Sequence, residues 1–281
     1  MDIQALRAFE DNYIWLLRDG HRAVVVDPGD EAPVLQSLAG QDASLAAILL
    51  THHHGDHTGG VAGLLALQAG TGFGPAGESI AGITHPLREG DTVVLPGSQD
   101  RLQVMEVPGH TRGHIAYYGI FKGQGALFCG DTLFGCGCGR LFEGTADQMW
   151  TSLCQTRRPS GRHPCILRSR IHPVECSFCP WPWSSGNAAL LARAAQVAEL
   201  RAANLPTVPF YAWGRTGRPI PFLRSGQPDV AAAAERHCGT RLLGANAVFA
   251  VLREWKNTFR QCPSLVTRMR EVGRRARDAE L

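Results

Sequence analysis

Thr51-His52-His53-His54-Gly55-Asp56-His57 places four side chains of the metal-ligand type, His52, His54, Asp56 and His57, inside a single short turn. Imidazole nitrogen and carboxylate oxygen are the donors that borderline divalent ions favour, zinc first, with iron or manganese also suited. The run follows Ala46-Ala47-Ile48-Leu49-Leu50, an apolar stretch that reads as a buried strand, and precedes Gly59-Gly60. The ligands therefore stand at the C-terminal end of a strand, where the sites of α/β proteins gather. A purification tag fits poorly, because a tag is not interrupted by Asp and does not follow a core strand.

A metal pair needs more donors than one loop supplies, and two later stretches carry them. Pro108-Gly109-His110-Thr111-Arg112-Gly113-His114 follows another apolar run, and Phe128-Cys129-Gly130-Asp131-Thr132 closes a third. The order His-x-His-x-Asp-His, Gly-His-Thr-x-Gly-His, Gly-Asp-Thr resembles the metallo-β-lactamase superfamily of hydrolases. Within it, Phe9-Glu10-Asp11-Asn12-Tyr13-Ile14-Trp15, Val26-Asp27-Pro28-Gly29-Asp30 and Gly137-Cys138-Gly139-Arg140-Leu141-Phe142-Glu143-Gly144 resemble the glyoxalase II, or hydroxyacylglutathione hydrolase, family. The resemblance runs from residue 1 to about residue 153 and returns near residue 186.

That resemblance implies an α/β fold, an αββα sandwich followed by a smaller helical domain. It implies that His52, His54 and His110 hold one metal, Asp56 and His57 the other, and that Asp131 bridges both. The implied cofactors are two Zn2+ ions, with iron or manganese as substitutes. Two cations roughly 3.5–4 Å apart generate a hydroxide near neutral pH and polarise a carbonyl. A thioester is a fitting target, because its thiolate leaves without needing a separate general acid. The implied reaction is metal-bound hydroxide cleaving S-D-lactoylglutathione to glutathione and D-lactate, the second step of methylglyoxal detoxification. Asp56 reads as a ligand rather than a base, since coordination would depress its pKa.

The substrate's carboxylates call for cations, and guanidinium pairs well with a planar carboxylate. By resemblance, Arg253 and Lys256 in Leu252-Arg253-Glu254-Trp255-Lys256-Asn257 take that role together with Arg140. His53 alternates with two ligands and is expected to point away from the metals, and His114 to make supporting or packing contacts. Asp27, ending the Val24-Val25-Val26 strand, is expected to orient a metal-bound histidine, and Asp11 and Tyr13 to be structural.

The chain then departs from the family. One more histidine for the second metal is expected some 35–40 residues after Asp131, in a stretch like Cys-Ala-His-Glu-Tyr-Thr-Leu-Ser-Asn, and no such stretch is present. Instead Arg157-Arg158-Pro159 and Cys179-Pro180-Trp181-Pro182-Trp183 crowd together without a period of 2 or 3.6. A one-base shift across Cys165 to Cys176 permits Val-Tyr-Cys-Ala-His-Glu-Tyr-Thr-Leu-Ser-Asn. Residues 154–185 therefore read as an aberrant, out-of-frame segment, and Phe210 to Ile220 as a shorter one. For the polypeptide as written, the second site is expected to be weakened, since neither His163 nor His172 stands in a recognisable ligand context.

The remaining organisation follows from composition. The 281 residues, 44% hydrophobic and 19% charged, suffice for an α/β core with a second small domain. The expected divisions are a catalytic domain over 1–153, the aberrant segment over 154–185, a helical substrate-binding domain over 186–260 and a basic tail over 261–281. Leu190, Leu191, Ala194, Val197 and Leu200 recur at helical spacing, and Ala245 to Arg260 reads as another helix. No run approaches the ~20 apolar residues that span a bilayer, and Met1 leads straight into strand-like Ile3-Gln4-Ala5-Leu6, so a cytoplasmic monomer is expected. The net charge of +3 gives no platform for nucleic acid. Nine cysteines are an odd number, and Cys176-x-x-Cys179 stands alone, so no structural disulfide is expected. Two alternatives to the thioester hydrolase remain: a one-metal relative such as a persulfide dioxygenase, and an inactive damaged product.

Overall fold

Alternation along Asn12–Asp19 sets the layering. Tyr13, Trp15 and Leu17 turn to one face of their sheet and Ile14 and Leu16 to the other, and all five are buried. A strand buried on both faces reads as a near-continuous apolar run, and this one belongs between two layers. The computed structural model describes residues 1–10, 12–68, 70–134, 137–156, 196–197, 199–203, 205, 207 and 221–259.

The first sheet has six strands in sequential order: β1 (Asp2–Ala8), β2 (Asn12–Asp19), β3 (Arg22–Val26), β4 (Ser44–Leu49), β5 (Thr71–Pro75) and β6 (His85–Leu87). The first three pair antiparallel, and β3 through β6 run parallel. Between β3 and β4 passes α1 (Ala32–Gly40); between β4 and β5 pass the single turn α2 (Gly55–Thr58) and α3 (Val61–Leu67). Val34 and Leu38 of α1 and Val61 and Leu64 of α3 pack on Ile14, Leu16, Val25 and Ile48. Burying each such aliphatic side chain stabilises the fold by ~1.5–3 kcal/mol.

The opposite face meets a second, antiparallel sheet ordered β10-β9-β8-β7, formed by β7 (Thr92–Val94), β8 (Arg101–Glu106), β9 (Ile115–Phe121) and β10 (Gln124–Phe128). Tyr13, Trp15, Val24, Val26 and Leu49 interlock there with Val104, Tyr117 and Phe128. Trp15 and Phe128 meet edge to face, with ring centroids 6.5 Å apart. Tyr117 donates its hydroxyl to the Leu50 carbonyl at 2.8 Å, tying the second sheet to the end of β4 where the histidines begin.

After β10 comes α4 (Ala146–Thr156), followed later in the chain by a 3-10 turn over Pro221–Arg224, α5 (Pro228–Cys238) and α6 (Ala245–Thr258). Trp150, Phe222 and Phe249 join these helices into the main core. Pro228 at the start of α5 and Gly239 just past its end, at φ 72°, follow the usual helix punctuation. The architecture is the expected sandwich with helices after it.

Three sequence expectations are met closely: the strand at residues 46–50, the strand ending at Val26 and the helix from Ala245. Helix α4 continues past Leu153 to a buried Thr156. The rest of 154–185, the stretch 210–220, the tail 261–281, His163, His172, Asp11 and the Cys176–Cys179 pair lie outside the described residues, as does most of the helix expected from Asn187. Among the described residues, Cys129, Cys138, Cys154 and Cys238 are thiols.

Candidate metal centre

The centre is assembled by loops at the ends of β3, β4, β8 and β10. Asp27 leaves β3 with φ 52°, a left-handed conformation that Asp tolerates better than most residues. From there its carboxylate accepts three hydrogen bonds: Thr51 N to Oδ1 at 2.8 Å, the Thr51 hydroxyl to Oδ2 at 2.8 Å and His57 Nδ1 to Oδ2 at 2.9 Å. One buried carboxylate thus pins both ends of the histidine loop. The loop folds back on itself through α2, and the close approach requires glycine at position 60. A Cβ there would stand 2.5 Å from the Glu31 amide nitrogen and 2.6 Å from the Asp30 carbonyl carbon.

Three imidazoles converge. His54 Nδ1 lies 3.1 Å from His52 Nε2 and 2.9 Å from His110 Nε2. Asp131 closes the group from β10's end, its Oδ2 3.4 Å from His110 Nε2 and its Oδ1 3.1 Å from His57 Nε2. Asp56 Oδ2 stands 3.9 Å from His57 Nε2 and accepts from Asn12 Nδ2 at 3.1 Å. Two overlapping donor sets result: His52, His54 and His110, and then His52, His57 and Asp131, each with its donor atoms within 4.8 Å of one another.

Hydrogen bonds on the far sides of the rings decide what the near sides offer. The Thr51 hydroxyl donates to Asp27, so it can only accept from His52 Nδ1, 3.1 Å away. His110 Nδ1 donates to the Arg140 carbonyl at 2.7 Å, and His57 Nδ1 to Asp27. In their neutral forms, His52, His57 and His110 therefore all turn an Nε2 lone pair inward, toward Asp131 and Asp56. Lone pairs facing lone pairs and anions repel one another unless a cation lies between them.

The electrostatics agree. Burial pushes the pKa values of His54 and His110 below the ordinary imidazole value, with the charge of His53 adding to the effect at His54. The Asp131 carboxylate opposes both shifts only in part. Neutral imidazole is the state that binds a metal. Nitrogens about 2.0–2.1 Å from a tetrahedral cation lie ~3.3 Å apart, close to the observed spacing. The donor set fits a divalent metal in chemistry and in scale.

His114, expected to play a supporting part, does so through the backbone. Its Nε2 accepts the Asp131 amide at 3.1 Å, while Nδ1 donates to the Ile115 carbonyl at 3.0 Å. It is fully buried, stacks on His52 at 4.5 Å, and burial drops its pKa to about 3. Gly130, at φ 45°, lets the chain pass: a Cβ there would come within 2.8 Å of the His114 ring. His53 turns away from the cluster, as expected, and bonds Glu78. Tyr13 is structural, accepting the Thr207 amide at 3.1 Å.

The expected substrate cations are placed unequally. Arg140 is exposed at the rim, and its own carbonyl holds His110. The Lys256 ammonium lies 5.9 Å from the Phe222 ring centroid and within 2.6 Å of where a Gly137 Cβ would stand. Arg253, expected as a carboxylate ligand, faces inward. It is only 4% exposed, donating from Nη1 to the Cys138 carbonyl and from Nη2 to Asn257 Oδ1, both at 2.8 Å. Its position on the inner stripe of α6 aims it at the 137–140 strip rather than at solvent. Sequence reasoning missed Phe142, which is 63% exposed although it stands edge-on to His54 and His110 at 5.4 and 5.3 Å.

The sequence model of the metallo-beta-lactamase superfamily matches residues 8–170, and that of the hydroxyacylglutathione hydrolase C-terminus matches residues 182–259. A hydroxyacylglutathione hydrolase of Cupriavidus taiwanensis is 48% identical over 270 residues, covering 92% of this chain and 100% of its own. The Nitrosomonas europaea enzyme of the same name is 43% identical, covering 92% and 97%. The chain belongs to the hydroxyacylglutathione hydrolase family. Among solved structures, ETHE1 from Myxococcus xanthus superposes with a TM-score of 0.53 at 29% identity, over 61% of this chain and 76% of that one. The metallo-beta-lactamase BJP-1 of Bradyrhizobium japonicum, at 15% identity and a TM-score of 0.51 over 84% and 92%, shares the fold. Membership makes the His/Asp cluster a divalent-metal centre of a hydrolase. No helix among the described residues is long and apolar enough to cross a membrane.

Proposed function

We propose that this chain hydrolyses S-2-hydroxyacylglutathione thioesters, S-D-lactoylglutathione first among them, to glutathione and a 2-hydroxy acid. The observation that carries this is the pairing of a metal centre of superfamily type with the hydroxyacylglutathione hydrolase C-terminal segment in one chain. Water adds to the thioester carbonyl carbon, the C–S bond breaks, and the thiolate leaves and takes up a proton. A divalent cation bound here would polarise that carbonyl and bring the pKa of a water near neutrality.

The chain's own residues provide the rest. His52, His54 and His110 would hold one ion with Asp131, and Asp56, His57 and Asp131 a second. Zinc suits this nitrogen and carboxylate set, with iron or manganese able to replace it. Asp27 and His114 keep His57 and the Asp131 backbone in place before any metal arrives. Arg140 and Lys256 would receive the glutathione carboxylates at the rim. Arg253 would contribute by holding the Cys138 carbonyl, and with it the strip that carries Arg140.

The second position is the weaker one in this reading. Asp56 is half exposed and 3.9 Å from His57, and the sequence places no further histidine in a recognisable ligand context. The test is hydrolysis of S-D-lactoylglutathione by the purified, zinc-loaded full chain, beside a lactoyl thioester of a small uncharged thiol. Cleavage of the first, with at least a tenfold lower kcat/KM for the second, is expected. Equal rates would remove glutathione recognition, and no cleavage of either would overturn the reading.

A further inference from the structure

Glu78 belongs to no motif, yet its carboxylate is buried, with only 4% of the side chain exposed. A buried carboxylate is costly unless each oxygen finds a donor, and both donors here come from the ligand loops. Oε2 accepts from His53 Nδ1 at 2.9 Å, and Oε1 accepts from the Thr111 hydroxyl. His53 stands between His52 and His54, and Thr111 directly follows His110. The other edge of His53 is gripped in the same manner: its Nε2 lies 3.4 Å from Glu143 Oε1, while Glu143 Oε2 accepts the Arg112 amide at 3.0 Å. Two carboxylates thus cross-link the same pair of loops, one buried and one at the surface. The buried one is insulated from solvent screening, so it should dominate.

We propose that Glu78 is a positioning residue of the metal centre: by bonding His53 and Thr111 at once, it sets the spacing between the His52–His54 pair and His110. The proposal rests on the reading of those histidines as ligands. His54 Nδ1 already stands 3.1 Å from His52 Nε2 and 2.9 Å from His110 Nε2, and each loop carries its ligand next to the residue that Glu78 holds. An amide accepts at only one of its two terminal atoms and carries no charge, so Glu78→Gln must reverse or lose one of these two bonds.

The experiment is zinc affinity by competition with a chromophoric chelator, on the full chain. Glu78→Gln is expected to lower affinity about 10- to 100-fold, the range seen when partners of metal ligands are removed. Thr111→Val, which deletes the hydroxyl at constant shape, should lower it in the same direction, and Thr111→Ser should restore it. Once saturated with zinc, the Glu78→Gln chain should show the parent KM. Parent zinc affinity in a folded Glu78→Gln chain overturns the proposal, and if that variant does not fold, parent affinity in Thr111→Val does so. His54→Ala separates the two layers of argument. If it binds zinc as the parent does, the ligand reading itself has failed; if it loses zinc while Glu78→Gln does not, only the positioning role has failed.

Discussion

The two halves of the metal centre are built to different standards. In the half formed by His52, His54 and His110, His54 Nδ1 stands 2.9–3.1 Å from the inner nitrogens of the other two, and the outer nitrogens of His52 and His110 are bonded to Thr51 and to the Arg140 carbonyl. The half formed by Asp56, His57 and Asp131 has one buried imidazole fixed by Asp27, but its Asp56 side chain is 49% exposed and reaches only to 3.9 Å from His57. The difference teaches that the fold preorganises one metal position and leaves the other dependent on a surface carboxylate. Preorganised donors cost less to order on binding, so the first position should fill first.

Asp131 offers the sharpest way to break the comparison, because it serves both halves. Asp131→Ala should abolish the distinction and lower kcat/KM for the thioester by more than about a hundredfold, with zinc content measured alongside. Asp27 comes next. Asp27→Ala leaves the buried Thr51 amide and His57 Nδ1 without their acceptor, at a cost of ~1–3 kcal/mol each. Chemical denaturation of the metal-free chain should show a loss of that order, and both zinc affinities should fall.

Asp56→Ala should separate the halves cleanly, weakening the second zinc equivalent about tenfold or more while leaving the first within a factor of about two. Calorimetric titration reads both. Acid acts on the framework behind both halves. Burial lowers the pKa of His114 to about 3, so between roughly pH 6.5 and 3 the unfolded chain binds more protons at this site than the folded one. Its contribution to stability is therefore present above about pH 6.5 and is lost as pH falls toward 3. The metal-free parent should lose stability over that window more steeply than metal-free His114→Phe, as read by denaturation at stepped pH.

The candidate ligands were legible because they lie in short motifs at strand ends, where adjacency in sequence is adjacency in space: His52, His54, Asp56 and His57 in one turn, and His110 just after β8. Asp131 was readable from Gly-Asp-Thr after an apolar run. Glu78 was not, because its partners are 25 and 33 positions away and nothing local marks it. Arg253 shows the opposite case. The resemblance reads it as a carboxylate ligand, and the packing of α6 against the 137–140 strip turns it inward onto the Cys138 carbonyl. The strands β3 and β4 were readable from their apolar runs and the sandwich from the family resemblance, whereas the three-residue strands β6 and β7 exist only through their neighbours' register.

The inequality of the two halves is tested most directly by calorimetric titration of zinc into the metal-free full chain, with hydrolysis of S-D-lactoylglutathione followed at each addition. The account predicts two separable binding steps, the first at least tenfold tighter, with thioester cleavage rising as zinc binds. Two equivalent tight sites, or cleavage that is indifferent to zinc, would contradict it.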